Sequence, residues 1–220
     1  MLKKILNLIY LNFKGYSLLR ALQIIECKNI SLKGKSLEFG AYRNHKKNFS
    51  NFFKGKSSFT YSNIYNDSKD NYIKLDLTKK LKLKSNKFHN VIIFNVLEHV
   101  HETNIPFNEI QRILKNKGLL IGSTPFLYQV HGAPNDYFRF TKDFFHKKLS
   151  KKFKNIKVVP LGYGPFVSCF GLINSYLRFL PLFKEAILIT SLILDFIIQI
   201  FVKTNLKEIY PIGFFFIIKK

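Results

Sequence analysis

The chain has 220 residues, 47% of them hydrophobic, enough for one large domain or for one domain with an appendage. Its 36 Lys and Arg outnumber 13 Asp and Glu, giving a formal net charge of +23. Cys27 and Cys169 are far apart and show neither metal nor redox spacing, which points to a reduced cytoplasmic protein with two buried thiols.

Such a charge attracts polyanions: nucleic acid, anionic lipid or a phosphorylated substrate. It also follows from a Lys-, Asn-, Ile- and Phe-rich composition without Trp, as AT-rich coding produces. Residues 1–37 hold a single acid, Glu26, and residues 144–220 hold only Glu185, Asp195 and Glu208. Both ends are therefore basic and apolar together, which suits a membrane surface better than a nucleic-acid groove. Phe dominates the aromatics and falls in apolar runs, leaving few platforms for stacked bases, so nucleic acid is the disfavoured partner.

In chain order, residues 1–30 predict amphipathic helices. Leu2, Ile5, Leu6, Ile9, Tyr10 and Phe13 share one helical face, and Leu18, Leu19, Leu22 and Ile25 continue it after Gly15. They cover the sheet or lie on a membrane; no signal-peptide cleavage site is visible. Ser36–Phe39 reads as a strand and Gly40 as the turn out of it, where a missing Cβ lets the backbone approach a ligand. A helix or irregular segment runs to Phe53. Phe59–Tyr65 and Tyr72–Leu77 read as two more strands, the second ending at Asp76.

Residues 88–126 organise the rest. Val91–Phe94 is a short β-branched run of the kind buried on both sheet faces. Ile105, Ile110, Ile113 and Leu114 recur at helical spacing, with Thr103 or Asn104 as the cap, Pro106 in the first turn and Gly118 as the left-handed end. Leu119–Ile121 starts the next buried strand. Strand, helix and strand at this length make a right-handed βαβ unit, and ligands sit beyond the carboxyl ends of such strands. Here that edge carries Asn95–His101 and Gly122–Phe126.

After Phe126 stand His131, Asp136, Tyr137 and Arg139, unusually dense polar chemistry behind a buried strand. Thr141 caps a helix with Phe144, Phe145 and Leu149 on its apolar face, and Lys157–Leu161 is another strand. Residues 166–204 form an apolar helical insertion broken at Pro181. Its second half is short for a spanning helix, and Asp195 and Gln199 are costly at a bilayer centre. The alternatives are a membrane interface, packing within the protein, and a homodimer contact. Ile209–Ile218 closes the chain as a buried strand.

The succession LEFGA, LDL, VIIFNVLEHV and EIQRILKNKGLLIGSTPF resembles the class I S-adenosylmethionine-dependent methyltransferases. The later HGAPNDYFRFT is similar to a methyltransferase type 11-like subgroup found among surface-polysaccharide biosynthesis genes. The resemblance covers residues 31–165 plus the end of the chain, 205–220. It implies an α/β fold: a doubly wound, mostly parallel seven-stranded sheet, with the last strand antiparallel beside Leu119–Gly122. It implies S-adenosylmethionine as cofactor and methyl transfer to a sugar, lipid-linked glycan or related small acceptor; the basic termini and the apolar segment 166–202 separately point to a cytoplasmic protein peripheral at the inner membrane face. Where the family has Gly-x-Gly-x-Gly, this chain has Gly40, Tyr42 and Asn44. A non-catalytic binding or scaffolding protein on the same fold is the alternative.

Residue by residue, the resemblance places Glu38, Gly40 and Ala41 at the methionine end of the cofactor. Asn63 or Asp67 takes the ribose, Asp76 the adenine amino group, and Leu77 the ring. Asn95, Val96 and Leu97 line the sulfonium. A sulfonium is a strong methyl donor, so the protein mainly aligns an in-line displacement and removes the acceptor's proton. His131 is the expected base, with His99 second, Asp136 orienting, and Arg139 and Tyr137 on the substrate. Plainer roles stand beside these: His131 ordering its loop, Asp136 pairing Arg139, Asp76 making a turn. Glu98, His99, His101 and Glu102 have the ligand types of a metal site but lack helical two-histidine spacing, so no metal is expected.

Overall fold

The computed structural model describes residues 2–65, 71–132 and 135–220. Two helices open the chain, α1 (Leu2–Phe13) and α2 (Leu18–Cys27). Gly15, at φ 88°, turns the chain between them, and the Ser17 side chain accepts from the Arg20 N–H at the start of α2. Then come β1 (Gly34–Phe39), two short 3₁₀ turns (His45–Lys47 and Phe49–Phe52), β2 (Ser57–Asn63) and β3 (Tyr72–Lys74). The central unit is β4 (Phe88–Phe94), α3 (Asn104–Ile113) and β5 (Leu114–Pro125). It is followed by α4 (Lys142–Leu149), β6 (Lys154–Leu161), α5 (Pro165–Ile173), α6 (Pro181–Phe201), α7 (Leu206–Ile209) and β7 (Gly213–Lys219).

The strands form one 7-stranded sheet in the order β3-β2-β1-β4-β5-β7-β6. All pairs are parallel except those of β7, which runs antiparallel to both β5 and β6. Ile121 of β5 faces Ile217 of β7 in that register. The expected doubly wound architecture and its antiparallel last strand are present. The order reverses between β1 and β4, so the switch point lies above Phe39 and Phe94.

Period-2 alternation divides the core. Val91, Ile93, Leu120, Phe214 and Phe216 face α3 and α4, where Phe107, Ile110, Ile113, Phe145 and Leu149 are buried. Ile92, Phe94, Ile121 and Phe215 point the other way, onto Leu8 and Leu11 of α1, Leu18 and Leu22 of α2, Phe170 of α5 and Leu188 of α6. The terminal helices and the apolar segment thus share one core with the sheet. Burying each such side chain stabilises by about 1.5–3 kcal/mol.

Several local expectations need correction. Helix α3 is not capped by Thr103 or Asn104; the Glu102 carboxylate accepts from the Asn104 N–H at 2.8 Å. No glycine cap ends it: the backbone passes straight into β5 at Leu114, and the left-handed residue is Lys117, at φ 64°. Gly118 serves a bulge, where a Cβ would lie 2.8 Å from the Lys115 carbonyl oxygen and 3.0 Å from that of His89. Cys27 is buried, but Cys169 is exposed. Thr141 does cap α4, accepting from the Phe144 N–H.

Candidate functional site

At the switch point Gly40 adopts φ +67°, and a Cβ there would meet Val96 Cγ2 at 2.5 Å. The space expected for a ligand above Gly40 is thus filled from the other side by Val96. The chain beyond is pinned to β2: the Ala41 N–H donates to the Ser62 carbonyl, and Asn63 Nδ2 donates to the Ala41 carbonyl at 2.9 Å. Tyr42 N–H donates to Asn48 Oδ1, Asn48 Nδ2 to the Tyr72 hydroxyl, and that hydroxyl to the Tyr42 carbonyl. The result is a cavity of about 340 Å³ lined by Tyr42, Arg43, Asn44, Lys47, Asn63 and Tyr65. It sits beyond the carboxyl ends of β1 and β2, where doubly wound sheets take ligands. A cavity of about 440 Å³ lies at the amino edge instead, between Gly34 and Ser57–Phe59.

Glu38 is 3% exposed, and its carboxylate accepts the N–H groups of Phe49 (2.8 Å) and Ser50 (3.0 Å). Burial pushes its carboxyl above the usual range, against the pull of those hydrogen bonds. It therefore anchors the 3₁₀ turn Phe49–Phe52, a role different from the expected contact with a cationic amino group. Asp76 accepts from the N–H and hydroxyl of Thr78, with Lys79 at 3.4 Å, and those bonds hold its carboxyl below the usual range. Leu77 and Leu97 are core side chains. Asp67 lies outside the described residues.

On the β4 side, Asn95 sits at φ 53°, a region Asn tolerates better than most residues. Its N–H donates to the Ser123 carbonyl, and its side-chain oxygen accepts from Gln23 Nε2 at 2.8 Å. Gln23, fully buried on α2, also donates to Ser123 Oγ at 3.0 Å. This clamp across the sheet edge was not legible in the sequence, because Gln23 stands inside an apolar helical stripe with no partner in reach along the chain.

One 3₁₀ turn, Leu97–His99, carries the chain from Asn95 into a second cluster. Asp136 is held by Arg139 through two hydrogen bonds of 2.5 and 2.7 Å, which draw its carboxyl well below the usual range. Asp136 also accepts the His131 N–H at 2.9 Å and lies 3.3 Å from His131 Nδ1. The His131 ring stands edge-on to His99, 5.0 Å between centroids. His99 Nδ1 is 2.6 Å from the Asn135 carbonyl oxygen. Both terminal nitrogens of Arg139 are occupied, by Asp136 and by the Phe138 and Gln129 carbonyls, so its place is under the histidines rather than on a substrate anion. Tyr137 is 44% exposed and its hydroxyl accepts from Asn135 Nδ2. Glu98 is fully buried and neither carboxylate oxygen has a partner among the described residues. Burial, with the nearby Asp136 charge adding, pushes its carboxyl up to about 8. His101 stands edge-on to Tyr137 and stacks on Phe138.

A third feature lies on the surface. Helix α6 turns its polar side chains inward: Lys184, Glu185, Ser191 and Asp195 are all buried. Asp195 accepts the N–H groups of Phe166 and Val167, both at 2.9 Å, capping the start of α5. Outward it presents Leu182, Phe183, Ile193, Phe196, Ile200 and Phe201. Helix α1, packed beside α6, exposes Leu2, Leu6, Tyr10 and Phe13. Among the described residues no helix is long and apolar enough to cross a membrane.

Residues 56–122 match the family described as a methyltransferase domain. No curated protein matches the chain. Among solved structures, it is similar to phosphoethanolamine N-methyltransferase 2 from Haemonchus contortus in complex with S-adenosyl-L-methionine, at 13% identity and TM-score 0.55, over 90% of this chain and 52% of that one. A putative sarcosine dimethylglycine methyltransferase from Galdieria sulphuraria matches at 13% identity and TM-score 0.55, over 92% and 86%. The [4+2]-cyclase SpnF matches at 12% identity and TM-score 0.53, over 93% and 83%. The chain spans about half the length of the first structures it matches. The sheet order, its antiparallel last strand and the matched segment together give the chain the Rossmann-like fold of the class I methyltransferases.

Proposed function

We propose that the protein is an S-adenosylmethionine-dependent methyltransferase acting on a sugar, lipid-linked glycan or related small acceptor at the inner membrane face. The observation that carries this reading is the cavity beyond the carboxyl ends of β1 and β2, lined by Tyr42 and Asn63 among others, with a histidine cluster one 3₁₀ turn beyond Asn95 on the β4 side. Asn63 and Tyr42 flank the adenosyl group, and the methionine end reaches over Val96 toward Asn95. His131, oriented by Asp136, takes the acceptor's proton, and His99 backs it. The protein's contribution is alignment of the acceptor oxygen or nitrogen behind the methyl carbon.

The membrane setting rests on the outward apolar face of α6, with Lys203 and Lys207 just after it in the chain and Lys3 and Lys14 at the ends of α1, which packs beside it. An apolar face of this breadth with cations around it suits an anionic lipid interface. The surface-polysaccharide resemblance of residues 131–141 makes a lipid-linked glycan the preferred acceptor. Transfer of a labelled methyl group from S-adenosylmethionine into the lipid-linked fraction of a membrane extract tests the reading. Label there that disappears in His131→Ala supports it; no transfer to any extract fraction overturns it.

A second reading has its own support. Val96 packs on Gly40, and the Glu38 carboxylate is committed to backbone amides. Both features suit a methyltransferase fold kept for binding or scaffolding without catalysis. Any single turnover of methyl transfer eliminates it.

A further inference from the structure

The histidine cluster contains a feature that proton transfer alone leaves unused. Glu98 is fully buried beside His99, and neither carboxylate oxygen has a hydrogen-bond partner among the described residues. A buried carboxyl without hydrogen bonds is costly, and more so when it is ionised. Its Oε1 lies 3.8 Å from His99 Nε2. One ligand atom from each of Glu98, His99 and His131 can be chosen so that all lie within 4.8 Å of one another.

We propose that Glu98, His99 and His131 form a binding site for a divalent transition-metal cation of the zinc class. The donor set decides the class. Two imidazoles and one carboxylate suit zinc and its first-row neighbours, whereas magnesium and calcium prefer all-oxygen sets. The outer contacts decide the ligating atoms. His99 Nδ1 is taken by the Asn135 carbonyl, and His131 Nδ1 faces the Asp136 carboxylate and the Gln129 carbonyl. Each histidine therefore offers Nε2 inward while its other nitrogen is fixed from outside, the arrangement that holds a metal-bound imidazole in one tautomer. Asp136 in turn is clamped by Arg139. Three protein ligands leave a coordination position open, so an acceptor hydroxyl can bind the metal and lose its proton to solvent water more readily, with His131 then holding the ion in place of serving as the base. Closing ligand atoms now up to 4.8 Å apart onto bonds of about 2.0–2.2 Å needs only a small inward rotation of the rings.

The inference shares its residues with the acceptor side of the proposed reaction, yet its test needs neither cofactor nor acceptor. Untagged full-length protein is stripped with a chelator, dialysed and titrated with Zn²⁺ by calorimetry, with Co²⁺ as an absorbing probe. The expected result is one saturable ion per chain and a visible tetrahedral Co²⁺ band. Both are lost in His131→Ala and Glu98→Gln and unchanged in His101→Ala. Asp136→Asn weakens binding by about 10–100-fold. Failure of wild-type protein, folded by circular dichroism, to take up a stoichiometric ion overturns the proposal. So does uptake that survives in both His131→Ala and Glu98→Gln. Methyl transfer by a protein that takes up no ion leaves the enzyme reading standing and this one rejected.

Discussion

Glu98 shows how burial rewrites a residue's chemistry. In the sequence it is one acid beside a histidine; in the fold it is sealed beneath the cluster. Its folded pKa of about 8 lies above the usual 4.5, so the native state binds the proton more tightly than the unfolded chain. The stability this proton contributes is present at low pH and is lost as pH rises through about 8. Metal-free wild-type protein should therefore lose at least about 5 °C of Tm relative to Glu98→Gln between about pH 6 and 9, since 1 kcal/mol shifts a chain of this size by about 2–4 °C. Thermal melts at several pH values check this; parallel pH dependence in both proteins contradicts it. Other site residues were legible only as types. Glu38, Asp76 and Arg139 have the right chemistry for ligands, and in the structure each is committed to protein groups: backbone amides, Thr78, and Asp136. The Asp136–Arg139 pair and the Asp76 turn stood among the plainer readings of the sequence, being local along the chain, whereas the amides that hold Glu38 lie more than ten residues away and are set by how the chain folds back.

At the scale of elements, the strongest signals were runs whose side chains leave no choice of environment. Val91–Phe94 and Leu119–Ile121 are apolar on both faces, and only the middle of a sheet covers both. Element ends were less legible. At α3 a carboxylate from the preceding turn does the capping, and a lysine takes the left-handed position after it. Helix α6 was ambiguous for a physical reason: Asp195 reads as a penalty in an apolar run until α5 places two N–H groups in front of it. Asp195→Ala should strip the buried Val167 N–H and the part-buried Phe166 N–H of their acceptor and cost about 1–3 kcal/mol for the first and less for the second. Asp195→Asn, keeping an acceptor, should cost less. Urea denaturation measures both; equal stability of the alanine variant and wild type contradicts the capping account.

For the whole molecule, the topology follows from the order of strands and crossovers, and the antiparallel β7 was expected before its partners were known. The +23 charge decided nothing about the fold, and its meaning depends on where apolar surface lies. Helix α6 buries Lys184, Glu185, Ser191 and Asp195 along with Leu188 and Leu192, and exposes Leu182, Phe183, Ile193, Phe196, Ile200 and Phe201, unlike a helix that turns a polar face to water. Full-length protein should co-sediment with anionic liposomes and release in part at high salt. Replacing Phe196, Ile200 and Phe201 by serine should abolish co-sedimentation while leaving the melting temperature nearly unchanged. Retention of that variant on the liposomes contradicts a lipid-facing α6.

The central claim is that the cavity between Tyr42, Asn63 and Tyr65 receives an adenosyl sulfonium. Isothermal titration of the folded protein with S-adenosylmethionine tests it most directly. The account predicts one site with micromolar affinity, weakened about tenfold or more in Asn63→Ala, since each 1.4 kcal/mol lost is a factor of ten. No heat of binding at millimolar cofactor, or binding indifferent to Asn63, contradicts it.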